Sequence, residues 1–135
     1  MSTKDFQRQK VYDAEYAAFK GSPKLSENKI KLFYSSVISS DYINDYYSRT
    51  PRPNIDFWDR KYSSITPKLM MISREDMTEE TVLHELAHIL GCRKIMPPLH
   101  GKSFCSRLLE LVDVFLGKED YEKLKKEFDK RGVLY

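Results

Sequence analysis

The chain is poor in the residues that staple, anchor or interrupt a fold. Among 135 residues there are only 2 cysteines, 5 glycines, 6 prolines and 1 tryptophan. A chain of this length needs no disulfide staple, so Cys92 and Cys105 are read as reduced thiols. No apolar run approaches the roughly 20 residues of a membrane-spanning helix, and no membrane association is expected. The opening residues Met1 to Asp5 lack the apolar stretch of a secretory signal, which leads to the expectation of a cytoplasmic protein. Charge of one sign is missing too. The 23 Lys+Arg and 20 Asp+Glu are interleaved and sum to +3, so charge alone gives little support to a nucleic-acid partner. What is present, 41% hydrophobic and 32% charged residues, suits one compact core and hence a single domain over residues 1–135.

Periodicity predicts mostly helices. Tyr12, Tyr16 and Phe19 recur at helical spacing within residues 5–20, stopped by Gly21-Ser22-Pro23. Ser26 is placed to cap a second helix that carries Ile30, Phe33, Tyr34, Val37 and Ile38 on one face. The tyrosine-rich stretch 41–47 reads as a short helix ended by Pro51 and Pro53. Residues 54–60 and 65–73 have strand character, and Pro67 implies that the second strand is an edge or starts after it. A helix over 78–90 has Thr78 as N-cap, Glu79 and Glu80 at its positive end and Gly91 as its stop. Two further helices are expected near 102–116 and 119–130, separated by Gly117.

All three histidines of the chain fall within seventeen positions, at His84, His88 and His100. Two belong to His84-Glu85-Leu86-Ala87-His88. Residues four apart on a helix emerge about 40° from each other and one turn along the axis, so both imidazoles reach a single ion. Val82, Leu83, Leu86, Ile89 and Leu90 occupy the other side, which predicts that the helix buries one face and offers the other to metal. Glu85 stands beside the metal face and points past it, as suits a general base acting on a metal-activated water. Catalytic zinc takes three protein ligands and keeps one position open. Cys92 lies about 12 Å along the axis from His84, too far to share the ion. His100, after a loop that lets the chain double back, is the better third ligand, with Glu110 and Asp113 as competitors.

These motifs resemble the SprT-like branch of the zincin metallopeptidases, in which a helix bearing H-E-x-x-H is followed by H-G-x-x-F. The second element stands here as His100-Gly101-Lys102-Ser103-Phe104. Residues 7–15 and 108–112 are also similar to small metallohydrolases encoded by bacteria and their phages. The resemblance implies Zn2+ held by His84, His88 and His100, with Glu85 as the base in peptide-bond hydrolysis. It lacks one part: the zinc ribbon of many relatives needs more cysteines than this chain has, so ribbon-mediated DNA recruitment is not implied.

The expected architecture is therefore α+β, a minimal zincin-like fold. Several helices would surround a small, mostly antiparallel sheet, with an edge strand over 69–73 beside the active-site helix. An extended peptide or protein substrate would add to that edge. Two other readings fit the same residues: a metal-binding interaction module for a protein or nucleoprotein partner, and a zinc hydrolase of a non-peptide amide or ester. No residue is assigned to the oxyanion; Arg107, Tyr62 and Tyr34 are conceivable donors, but a surface arginine or a core-edge tyrosine is the commoner fate of each. Tyr42, Tyr46 and Tyr47 are read as packing or exposed residues rather than a base-stacking platform. Trp58 is read as the sheet's anchor, and Cys105 as core.

Overall fold

The computed structural model describes residues 5–91 and 99–135. In chain order the elements are α1 (Arg8–Phe19), α2 (Glu27–Ile38), α3 (Asp41–Tyr46), β1 (Asn54–Trp58), β2 (Ser64–Ile65), β3 (Leu69–Ser73), α4 (Glu79–Ala87), α5 (Lys102–Phe115) and α6 (Lys118–Arg131). Six helices and one three-stranded sheet among the described residues make this an α+β fold. None of these helices is long and apolar enough to cross a membrane. The described residues sort into two compact units, one from 5–22 with 99–135 and one from 23–91.

The first unit is helical, with α6 packed on both α1 and α5. Val11, Ala14, Phe104, Cys105, Leu108, Leu124 and Phe128 are buried. Val11, expected beside the tyrosine stripe of α1, is fully buried together with Ala14, but Tyr16 of that stripe is 74% exposed. Small side chains let the α1 backbone come close to its neighbour, and the bulkier phenol at 16 is left on the outside. α6 keeps acids in its first turn and bases in its last, in line with its dipole. Its exposed side carries Lys118–Glu122 and Lys123–Glu119 pairs at 3.6 and 3.5 Å, the solvated face that the alternating charges predict, while the Arg131–Glu127 pair at 2.6 Å is half-buried. Cys105 is core, and burial pushes its thiol up to about 12.

The second unit holds the sheet. Ser26 caps α2 by accepting the Lys29 N–H at 3.2 Å, and Ile30, Tyr34, Val37 and Ile38 are buried along one side. Ser40 both caps α3, accepting from Ile43 N–H, and donates to the Val37 carbonyl at the end of α2. One hydroxyl thus joins two helices without a longer loop.

Strand order is β1-β3-β2, and this corrects two expectations. β3 is the middle strand, not an edge. The sheet is mixed rather than mostly antiparallel: β1 runs parallel to β3 over five residue pairs, and β2 pairs antiparallel to it over only two. Pro67 explains the break, because it cannot donate to a ladder and so separates β2 from β3. With both flanks of β3 taken, the anticipated strand addition of a substrate to Leu69–Ser73 has no open ladder there. Met70 and Ile72 of β3 are buried with Phe57 of β1. Phe57, rather than Trp58, is the aromatic that enters the core; the half-buried Trp58 donates its indole N–H to the Tyr62 carbonyl at 2.8 Å under the Arg60 guanidinium.

Candidate metal centre

α4 starts where Thr78 accepts the Thr81 N–H at 3.2 Å, with Glu79 and Glu80 in the first turn. It packs on β2, β3 and α2. Its end tightens, since the N–H groups of His88 and Ile89 donate to the carbonyls of Glu85 and Leu86, three residues back. Gly91 then turns the chain at φ +74°, and its N–H donates to the buried Thr50 hydroxyl at 2.7 Å.

That turn admits no side chain. A Cβ on Gly91 would stand 2.9 Å from Cδ1 of Tyr47, and the left-handed backbone costs an L-residue roughly 1–2 kcal/mol in addition. Gly91→Ala is expected to lower stability by at least about 1 kcal/mol in urea denaturation, whereas a change within about 0.3 kcal/mol would show that the turn relaxes freely.

Within α4 the rings of His84 and His88 meet edge to face, with centroids 5.3 Å apart. The i, i+4 spacing therefore does bring both imidazoles together. The side that carries His84 and Glu85 is covered as well as the apolar side. Every residue from Val82 to Ala87 is buried, His84 and Glu85 included at 7% and 6% exposure, and His88 is half-buried. Glu85 stands beside the histidines, with its Oε2 3.9 Å from Nε2 of His84. A carboxylate and an imidazole out of bulk water interact more strongly than they would at a surface.

His100 belongs to the helical unit and immediately precedes Gly101, the N-cap of α5. It is 3% exposed, and Tyr12 and Phe104 stand edge-on to its ring at 5.1 and 5.0 Å. Phe104 is the aromatic of H-G-x-x-F, so that motif's spacing places its ring on the histidine. The partner that spacing does not reveal is Asp5. Its Oδ1 accepts the His100 backbone N–H at 3.0 Å and its Oδ2 meets ring Nδ1 at 2.7 Å. Gln7, 2% exposed, donates from Nε2 to the His100 carbonyl at 3.0 Å and to the Leu134 carbonyl, and accepts the Leu134 N–H on Oε1. The sequence alone points to neither Asp5 nor Gln7 as part of the site. An acid and an amide near a chain start carry no periodic signal, and their partners lie more than 90 positions away.

The remaining candidates have other surroundings. Glu110 is half-buried on α5, where burial holds its carboxyl above the ordinary range, and Asp113 is exposed. Tyr34 donates its hydroxyl to the Pro53 carbonyl at 2.6 Å, and burial pushes that group up to about 12. Tyr62 is 61% exposed, and Arg107 is half-buried on α5. Tyr42 stacks tilted between Tyr46 and Tyr47, as packing predicts. Cys92 and the Pro97-Pro98 loop lie outside the described residues. Compared with known proteins, the chain matches no family model, no curated protein and no solved structure.

Proposed function

We propose that the chain is a zinc-dependent metallopeptidase, in which His84, His88 and His100 each give one ring nitrogen to a single zinc ion and Glu85 is the general base. The observation that carries the reading is the terminal turn of α4: two imidazoles side by side and a carboxylate 3.9 Å from one of their nitrogens, with that carboxylate and that imidazole almost wholly out of water. The donor set fits the ion. Three neutral imidazoles leave one tetrahedral position open, the hallmark of a catalytic rather than a structural site.

Zinc bound there would supply Lewis acidity, polarising a substrate carbonyl and acidifying water. The chain's own residues do the rest. His84 and His88 are pre-oriented by the helix that carries them, so little ordering remains to be done on binding. Glu85 accepts a proton from the attacking water and returns it to the leaving amine; its burial keeps bulk water from competing for that proton. Asp5 holds the ring of His100.

Metal content tests the proposal. About one zinc ion per chain is expected by elemental analysis of the purified protein, falling to background in His84→Ala, His88→Ala and His100→Ala. Unchanged metal content after all three replacements would overturn it. A loaded wild type that cleaves no member of a broad peptide library would make the chain a metal-binding interaction module, and turnover of esters alone would make it a different hydrolase.

A further inference from the structure

The half-buried carboxylate of Asp5 and the buried ring of His100 form a pair with a chemistry of its own. Asp5 receives two groups from one residue, and one of them has no choice of role. The backbone N–H of His100 donates, so Oδ1 must accept; Oδ2 of the same carboxylate faces ring Nδ1 at 2.7 Å. A carboxylate oxygen facing Nδ1 is met by an N–H there, so in the neutral imidazole Nδ1 carries the single ring proton and Nε2 keeps its lone pair. Both carboxylate oxygens are thereby engaged by His100, as in a carboxylate that supports a ligand.

The support behind this contact is also built in. Gln7, two residues on, is buried and ties the start of the chain to the His100 carbonyl and, by two hydrogen bonds, to Leu134. Buried amides of this kind hold position because each donor or acceptor left unmatched costs roughly 1–3 kcal/mol. The Asp5 carboxylate is thus delivered to His100 by a clamp that joins residues near both ends of the chain.

We infer that Asp5 is a positioning residue that fixes His100 in the Nδ1–H tautomer and so presents Nε2 to metal, with Gln7 holding the segment that carries it. The metal part of the inference rests on the zinc reading above; the tautomer part does not. Asp5→Asn is the discriminating substitution. An amide has one oxygen and one NH2. The oxygen is claimed by the His100 backbone N–H, which turns the NH2 toward Nδ1, and Nδ1 must then accept. The ring proton moves to Nε2 and masks the lone pair that metal would take.

Nitrogen-15 NMR of the imidazoles reads this directly in metal-free protein, at a pH where His100 is neutral, with His100→Ala supplying the assignment. The expected result is Nδ1–H in the wild type and Nε2–H in Asp5→Asn. Zinc affinity measured by chelator competition is expected to fall about 10–100-fold in Asp5→Asn. Asp5→Ala, which removes the acceptor without supplying a wrong donor, should lose no more than Asp5→Asn. A wild-type His100 protonated on Nε2 overturns the inference without any variant, and so does an Asp5→Asn protein whose tautomer and affinity both match the wild type within about twofold. A wild type that takes up no zinc yet shows the two expected tautomers removes the zinc reading and leaves the positioning role in place.

Discussion

On the proposed zinc-peptidase reading, Glu85→Gln is expected to keep the metal and to lose peptide hydrolysis by about 10²–10⁴-fold. The substitution is nearly isosteric and leaves the imidazoles of His84 and His88 untouched, so metal content should match the wild type. What disappears is the capacity to take a proton. A carboxamide oxygen accepts a hydrogen bond but is not basic near neutral pH, so the water must be deprotonated some other way. The position makes replacement from solvent difficult, because Glu85 is 6% exposed and surrounded along α4 by fully buried Val82, Leu83 and Leu86. Side-by-side measurement of zinc content and turnover checks the prediction. Activity within about tenfold of the wild type would assign the base elsewhere, and loss of metal together with activity would make Glu85 a support of the ligands.

Phe104→Ala should be the most damaging single truncation near the site, at about 3–5 kcal/mol. The ring is 2% exposed and stands edge-on to His100 at 76° between planes. Its removal loses the transfer energy of a buried aromatic and leaves a cavity that α5, held on α6, closes only in part. Set against the usual range of about 5–15 kcal/mol for a domain, that is a large share of the total stability. Urea denaturation measures it. A loss below about 1 kcal/mol would mean that the helical unit repacks around the gap. Phe104→Leu, which keeps most of the apolar volume, should lose less.

The relation of Glu85 to His84 and His88 follows from nearby positions on one helix, and the sequence carries it almost complete. The caps are similarly legible: Ser26 and Thr78 each accept from the N–H three residues on. So are the stops, with Gly21, Gly91 and Gly117 all at positive φ. Each of these features is decided by atoms within about one helical turn, where spacing and residue type suffice.

The sheet marks where that legibility ends. Strand character in 54–58 and 69–73 is readable from composition, yet their parallel pairing is not, nor is the placement of β3 between its neighbours. A run such as Leu-Met-Met-Ile fits an edge or a centre equally well, because both bury at least one face. The difference matters for function, since an edge at 69–73 would offer a peptide-binding ladder and the observed central strand has both ladders occupied. In α4 the apolar stripe is where the wheel puts it, but His84 and Glu85, outside that stripe, are buried as well. A polar residue on a helical wheel does not reveal whether it faces water or a covered site.

By itself, the sequence determined the helices, the α+β class and the placing of His84 and His88 one turn apart with Glu85 beside them, since all of these arise from neighbours along the chain; α4 nonetheless ends at Ala87, three residues before the expected Leu90, and α1 starts at Arg8 rather than at residue 5. Only the tertiary structure decided the order and direction of the strands, the burial of His84 and Glu85 along with the apolar side of their helix, and the meeting of Asp5 with His100 across 95 positions. Contacts of that separation depend on where the backbone finally runs, and no local spacing encodes which carboxylate will arrive beside which ring.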